Sequence, residues 1–147
     1  MAQQQFNPFN SIVFLTNRVG RLLGNKIAKQ SAIKEMGLAP HHLGVLVDLW
    51  MKDGVRQQDL AVSIIKDKAT IARALRNLEE QNLVVRIPDE QDKRTKRIYL
   101  THKGKLMQGE MLPHAKQVVE EASTEISTEE LNTCKRVLEK MYLKLNK

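Results

Sequence analysis

The sequence predicts a mainly α-helical fold with one small β-hairpin, and three observations lead there. Apolar residues recur at spacings of three and four along most of the chain. One stretch alternates instead and is rich in β-branched residues: Leu83 to Ile87, a polar tip over Pro88 to Lys96, then Arg97 to Leu100. Aromatic residues make up only 4%, so the core has to be built from Leu, Ile, Val, Met and Ala, as in many helical proteins. At 147 residues the chain is one domain or one compact intertwined unit.

Each element has a local cause. A polar arm ends near Pro8, and Asn10 or Ser11 can cap a first helix. On it Ile12, Val13, Thr16, Val19, Leu23 and Ile27 share one side. Gly20 and Gly24 cost this helix some stability or admit a close neighbour. Gly37 and Pro40 mark a break, and His41 to Lys52 forms a helix offering Leu43, Leu46, Val47 and Trp50 to a core. Asp53-Gly54 signals a turn and Val55-Arg56 a minimal strand. Two short helices follow. One carries Leu60, Ala61 and Ile64 on a face, the other Ile71, Ala74, Leu75 and Leu78, with Asp67 as the cap of the second. Asn82, tolerant of the left-handed conformation, ends it. Thr101 caps a helix running to about Ala122, which Pro113 is expected to bend. Ser127 and Glu130 form a capping box. Beyond it Leu131, Cys134, Leu138, Met141 and Leu145 make a seam for another helix.

Function enters through the face opposite the apolar stripe of the second short helix. It carries Lys68, Thr70, Arg73, Arg76 and Asn77, donors with the reach to contact base edges and phosphates. A short helix, a turn and a second helix with such a face is a helix-turn-helix pattern. The stretch resembles the winged helix-turn-helix of the MarR (multiple-antibiotic-resistance regulator type) family. The residues carrying the resemblance are Leu60-Ala61, Asp67-Lys68, Thr70-Ile71, Arg73, Leu78-Glu79-Glu80, Leu83-Val84 and, most specifically, Asp92-x-Arg94 followed by Leu100-Thr101. The chain departs from the family in the turn, where Ile65 and Lys66 replace a glycine and an apolar residue.

The resemblance implies a transcription factor on double-stranded DNA at a pseudo-palindromic operator, repressing until an effector releases it. Arg94 would probe the minor groove with Asp92 holding its guanidinium. Lys93, Lys96 and Arg97 would be weaker phosphate contacts, some of them pointing off the DNA because only alternate hairpin residues face one way, and Thr70 and Arg73 would make the closest helix contacts. It implies a homodimer as well, and the apolar faces of the first and last helices independently ask for a partner. On this reading residues 10–36 and 102–147 dimerise and residues 41–101 form the DNA-binding region. Relatives hold small aromatic acids or phenols between dimer helices and reading head. The residues here would be Phe14, His42, Leu46, Trp50 and Met51 as lining, with Arg18 and Arg21 facing a carboxylate.

Composition narrows the alternatives. Net charge +7 and pI ≈ 9.6 favour polyanionic partners. Residues 41–105 hold 13 basic against 9 acidic side chains and residues 1–40 hold 5 against 1, while residues 106–147 hold 6 against 7. The tail third is therefore not expected to face nucleic acid. A single cysteine fits a reducing cytoplasm, and Cys134 is expected as a small seam residue rather than a thiol switch. No apolar run is long enough for a membrane span, and the N-terminus lacks the features of a secretory signal. No nucleophile, paired-carboxylate or phosphate-loop constellation suggests an enzyme, and no cofactor is expected. The four histidines lack metal-ligand spacing, so a metal-responsive regulator ranks low. An architectural DNA binder without an effector stays as the alternative, together with a helical interaction module that has lost DNA binding.

Overall fold

The computed structural model describes residues 5–64 and 67–146, with the backbone alone considered for residues 61–64. A 3-10 turn, Pro8–Asn10, leads into α1 (Ile12–Ala28) and α2 (Ser31–Lys34). Then come α3 (Pro40–Met51), β1 (Val55–Arg56), α4 (Gln57–Ile64) and α5 (Lys68–Glu80). The hairpin strands β2 (Val84–Pro88) and β3 (Lys96–Leu100) precede the long helices α6 (His102–Ala122) and α7 (Thr128–Leu145). The departure from the family at Ile65-Lys66, and the side chains of Ala61 and Ile64, lie outside the described residues.

The caps behave as the side-chain chemistry requires. Ser11 Oγ accepts from Phe14 N–H, Asp67 Oδ1 from Thr70 N–H at 2.7 Å, and Thr101 Oγ1 from Gly104 N–H. Ser127 and Glu130 close their capping box in both directions. Asn82 takes φ 62°, and its carbonyl accepts from Thr101 Oγ1 at 2.7 Å, so the end of α5 is tied to the start of α6. Despite Pro113, α6 runs unbroken to Ala122.

The sheet has three strands in the order β1-β3-β2, all antiparallel. Val84 pairs with Leu100 and Arg86 with Ile98, while Val55 pairs with the other side of Ile98. Side chains alternate across a strand, so Val84, Ile98 and Leu100 enter the core. They meet Leu60, Ile71, Leu75 and Leu78 from the helix pair, Leu46 and Leu49 from α3, and Met107 from α6. Ile33 and Leu38 close one end.

Two glycines stand where a side chain would not fit. Gly104 lies so close to β2 that an added Cβ would stand 2.2 Å from Leu83 O. Its own carbonyl accepts from Trp50 Nε1–H at 2.9 Å, which joins α3 to α6. Gly54 has φ +71°, and a Cβ there would meet the Tyr99 ring at 2.7 Å.

The terminal helices differ from the rest. Neither α1 nor α7 has a buried residue within the chain. Ile12, Val13, Val19 and Leu22 on α1, and Leu138, Met141, Tyr142 and Leu145 on α7, are all exposed. Cys134 is exposed with them. The glycine pair of α1 does less than its spacing suggests. A Cβ added at Gly24 would stand 3.7 Å from Pro40 Cβ, while one at Gly20 would meet nothing within 4 Å among the described residues beyond its own helix backbone. Val47, expected in the core, is 46% exposed because it leaves α3 on the solvent side.

Candidate nucleic-acid interface

Helix α5 is built from the N-cap outward. Its buried side, Ile71, Ala74, Leu75 and Leu78, locks it onto the core. Arg86 from β2 pairs with Glu79 and fixes its far end. With that face committed, Lys68, Arg73 and Arg76 are exposed, and Thr70 and Asn77 are half-buried beside them. A chain of hydrogen bonds orders the first turn. Thr70 Oγ1 donates to Asp67 Oδ2 at 2.8 Å and accepts from Arg73 Nη2 at 3.3 Å. The bonds from Thr70 N–H and hydroxyl hold the Asp67 carboxyl below the usual carboxylate range. Asn77 is partly engaged, its Oδ1 accepting from Gln81 Nε2 at 2.7 Å.

The wing tip is organised by Asp89. Its Oδ1 accepts from the backbone N–H groups of Gln91 and Asp92, and its Oδ2 from Arg97 Nε. Led by the Arg97 bond, these contacts lower the Asp89 pKa to about 2. The expected clasp between Asp92 and the Arg94 guanidinium is replaced by a different bond. Asp92 Oδ1 accepts from Arg94 backbone N–H at 3.1 Å, and its Oδ2 faces the Thr95 hydroxyl at 3.4 Å. The short aspartate side chain satisfies the turn backbone first, because that donor is held at fixed range two residues on. Arg97, expected as a phosphate contact, is instead half-buried in the Asp89 pair and donates to Gly54 O at 2.8 Å.

Lys93, Arg94 and Lys96 stay exposed. A cleft of about 300 Å³ brings the tip to the helix, lined by Gln57, Gln58, Lys68, Ile71, Arg94, Thr95 and Lys96. Lys68 thus shares one concavity with the sequence-distant Arg94 and Lys96 and with two amide side chains. Gln57 and Gln58, at the start of α4, were missed by the sequence reading. Their only signal is a pair of polar residues at a helix start, which is common on any surface.

The model of the MarR family matches residues 38–96, the span from the approach to α3 to the start of β3. Over 108 residues the chain is 31% identical to the HTH-type transcriptional regulator YybA of Bacillus subtilis (strain 168), covering 74% of this chain and 72% of that protein. The chain belongs to the MarR family. The fold agrees, since a MarR-family transcriptional regulator from Rhodococcus sp. RHA1 matches with TM-score 0.80 at 26% identity, over 95% of this chain and 96% of that one. CouR from Rhodococcus jostii RHA1, in its structure bound to p-coumaroyl-CoA, matches with TM-score 0.74 at 25% identity, over 93% of this chain and 95% of that one. This MarR-family chain is therefore a DNA-binding transcriptional regulator with a winged helix.

The residues expected around an effector fall into three places in this MarR-family chain. Phe14 and Arg18 lie together on α1, the guanidinium 4.8 Å from the ring centroid, with Phe9 edge-on at 6.0 Å. Arg21 is exposed one turn further on. On α3, Leu46 is fully buried among core residues, which corrects its expected place on a pocket wall: it packs against protein on all sides. Trp50 is half-buried, with its indole N–H held by Gly104 O. His42 is buried, and its Nδ1 accepts from Ala39 N–H at 2.9 Å, helping to cap α3. Burial, and then the neighbouring His41, push its pKa down to about 4, so the ring is neutral near pH 7. Met51 is exposed at the end of α3 and lines a separate cleft of about 270 Å³ with Val55, Leu60 and Tyr142. Among the described residues no group of three or more His, Cys, Asp or Glu side chains has a metal-binding arrangement, and no helix is long and apolar enough to cross a membrane.

Proposed function

We propose that the protein works as a homodimeric repressor that recognises a pseudo-palindromic operator and is released by a small aromatic or phenolic effector. The cleft uniting Lys68 of α5 with Arg94 and Lys96 of the wing carries this reading. Here a helix suited to the major groove lies beside an arginine tip suited to the minor groove. Thr70, Arg73, Arg76 and Asn77 extend the contact along α5, and Lys93 adds charge at the tip. The unburied apolar faces of α1 and α7 support dimerisation. Two copies that bury them against each other would set two reading heads roughly 34 Å apart, one helical turn of DNA. Occupancy of an operator overlapping a promoter would block transcription sterically. An effector preferring a different head spacing would weaken binding by its differential affinity for the two arrangements. CouR, bound to p-coumaroyl-CoA, supports an aromatic effector class, and Phe14, Arg18, Arg21, His42, Trp50 and Met51 are the residues we assign to its surroundings.

The test is a footprint and titration on a duplex selected from a random-sequence pool. One or two short protected palindromes are expected, with Arg94→Ala weakening binding by about 1–3 kcal/mol and Lys96→Ala lowering the salt slope by roughly one. Uniform coating of DNA, or full affinity in the Arg94 variant, would overturn the reading in favour of an architectural binder.

A further inference from the structure

We infer that Arg97 is a positioning residue for DNA binding. It makes no contact with DNA, and its guanidinium clamps the wing tip onto the turn that closes α3, which is what aims Arg94. The inference rests on the reading that the Lys68–Arg94–Lys96 cleft faces DNA.

Strand alternation separates Arg97 from its basic neighbours. On β3, Lys96, Ile98 and Leu100 share one face, and Ile98 and Leu100 are buried towards the helices. That face brings Lys96 into the cleft against α5. Arg97 and Tyr99 take the opposite face, where they line an outer groove with Ile87, Pro88 and Asp89. A phosphate seated in the cleft is therefore on the wrong side of the hairpin for Arg97.

What Arg97 does reach is two pieces of backbone scaffolding at once. Nε donates to Asp89 Oδ2, and Asp89 Oδ1 gathers the Gln91 and Asp92 N–H groups that shape the tip. Nη1 donates to Gly54 O at 2.8 Å, across a sequence separation of 43. The same turn grips β3 twice more, with Gly54 N–H on Ile98 O at 2.9 Å and Leu100 N–H on Asp53 Oδ1 at 2.8 Å. The tip, residues 89–95, would otherwise hang from two strands alone. The planar guanidinium presents both donors in one rigid fork, which a lysine cannot reproduce. Arg97 and Asp89 also neutralise one another, so this arginine is expected to release no counterion from DNA.

These features distinguish a positioning residue from a phosphate contact. On the selected duplex, Arg97→Gln and Arg97→Lys should each weaken binding about tenfold, with the salt slope of the unaltered protein retained. In an Arg94→Ala background the same changes should cost little more, because the side chain they aim is already gone. Asp89→Asn should copy the effect, and unchanged urea midpoints would show that each variant folds. A fall in slope of about one with recovery in Arg97→Lys would make Arg97 a direct phosphate contact and overturn the inference, as would full additivity with Arg94→Ala. If Arg97→Gln does not fold, Arg97→Lys and Asp89→Asn carry the same comparison. Loss of neither affinity nor slope in Arg94→Ala and Lys96→Ala would instead sink the DNA-facing reading itself.

Discussion

Acidification should destabilise this protein through one buried histidine before most of its carboxylates titrate. His42 is 8% exposed and packs beneath the start of α3, where Nδ1 must stay unprotonated to accept the Ala39 N–H. Its pKa falls from 6.5 to about 4, first by burial and then by repulsion from His41. A lowered histidine pKa means that the unfolded chain binds the proton more readily. The stabilisation is therefore complete above about pH 6.5 and is lost as pH falls towards 4. The whole shift corresponds to about 3 kcal/mol at roughly 1.4 kcal/mol per unit. About 2 kcal/mol of that should vanish between roughly pH 7.5 and pH 5, before most carboxylates protonate. Urea denaturation at fixed protein concentration measures it directly. The informative variant is His42→Gln, since glutamine at the third helical position can reach back to the capping N–H without titrating. Its stability should stay nearly level across that window while the unaltered protein's falls. Parallel curves for the two proteins would refute the assignment.

Three other outcomes are expected. Gly104→Ala should destabilise the fold by about 2–3 kcal/mol, because the new Cβ meets the Leu83 carbonyl rather than a side chain that can move; a urea midpoint within error of the parent would contradict the packing described. Removing residues 131–147 should yield a monomer by sedimentation and abolish specific DNA binding together, and a truncated dimer that still protects a palindrome would place the interface elsewhere. An aromatic carboxylate such as salicylate should perturb the emission of Trp50 and weaken DNA binding over one concentration range, with DNA weakening the ligand by the same factor; silence in both signals up to about millimolar levels, across a panel of such acids, would exclude this effector class.

Much of the fold was legible because its causes are local. The Asp67, Thr101 and Ser127 caps, the left-handed Asn82 and the stripe Ile71, Ala74, Leu75 and Leu78 each follow from side chains within one or two turns. The donor face of α5 follows too, since burying that stripe leaves Lys68, Arg73 and Arg76 outside. Even the wing is announced by alternation and by Asp92-x-Arg94. What sequence misassigned were partners, because side-chain bonds go to whichever group the tertiary structure brings nearest. Asp92 lies two residues from Arg94, yet its carboxylate takes the backbone N–H. Arg97 looks like one more exposed cation until β1 arrives beside β3 and offers Gly54 O. Leu46 is apolar at a helical spacing that suits pocket wall and core equally, and only the arrival of the sheet and α6 decided for the core.

The cleft shows where that boundary falls. Lys68 and Arg94 stand far apart in sequence, and no periodicity relates them. They meet because Val84, Ile98 and Leu100 bury the hairpin against α5 and α6, while the Asp53-Gly54 turn holds β3 from the other edge. The sequence by itself determined which residues could donate to a polyanion, and the helical period that exposed them. The tertiary structure decided which of them lie together, because hydrophobic burial of one face of each element fixes where the opposite face points.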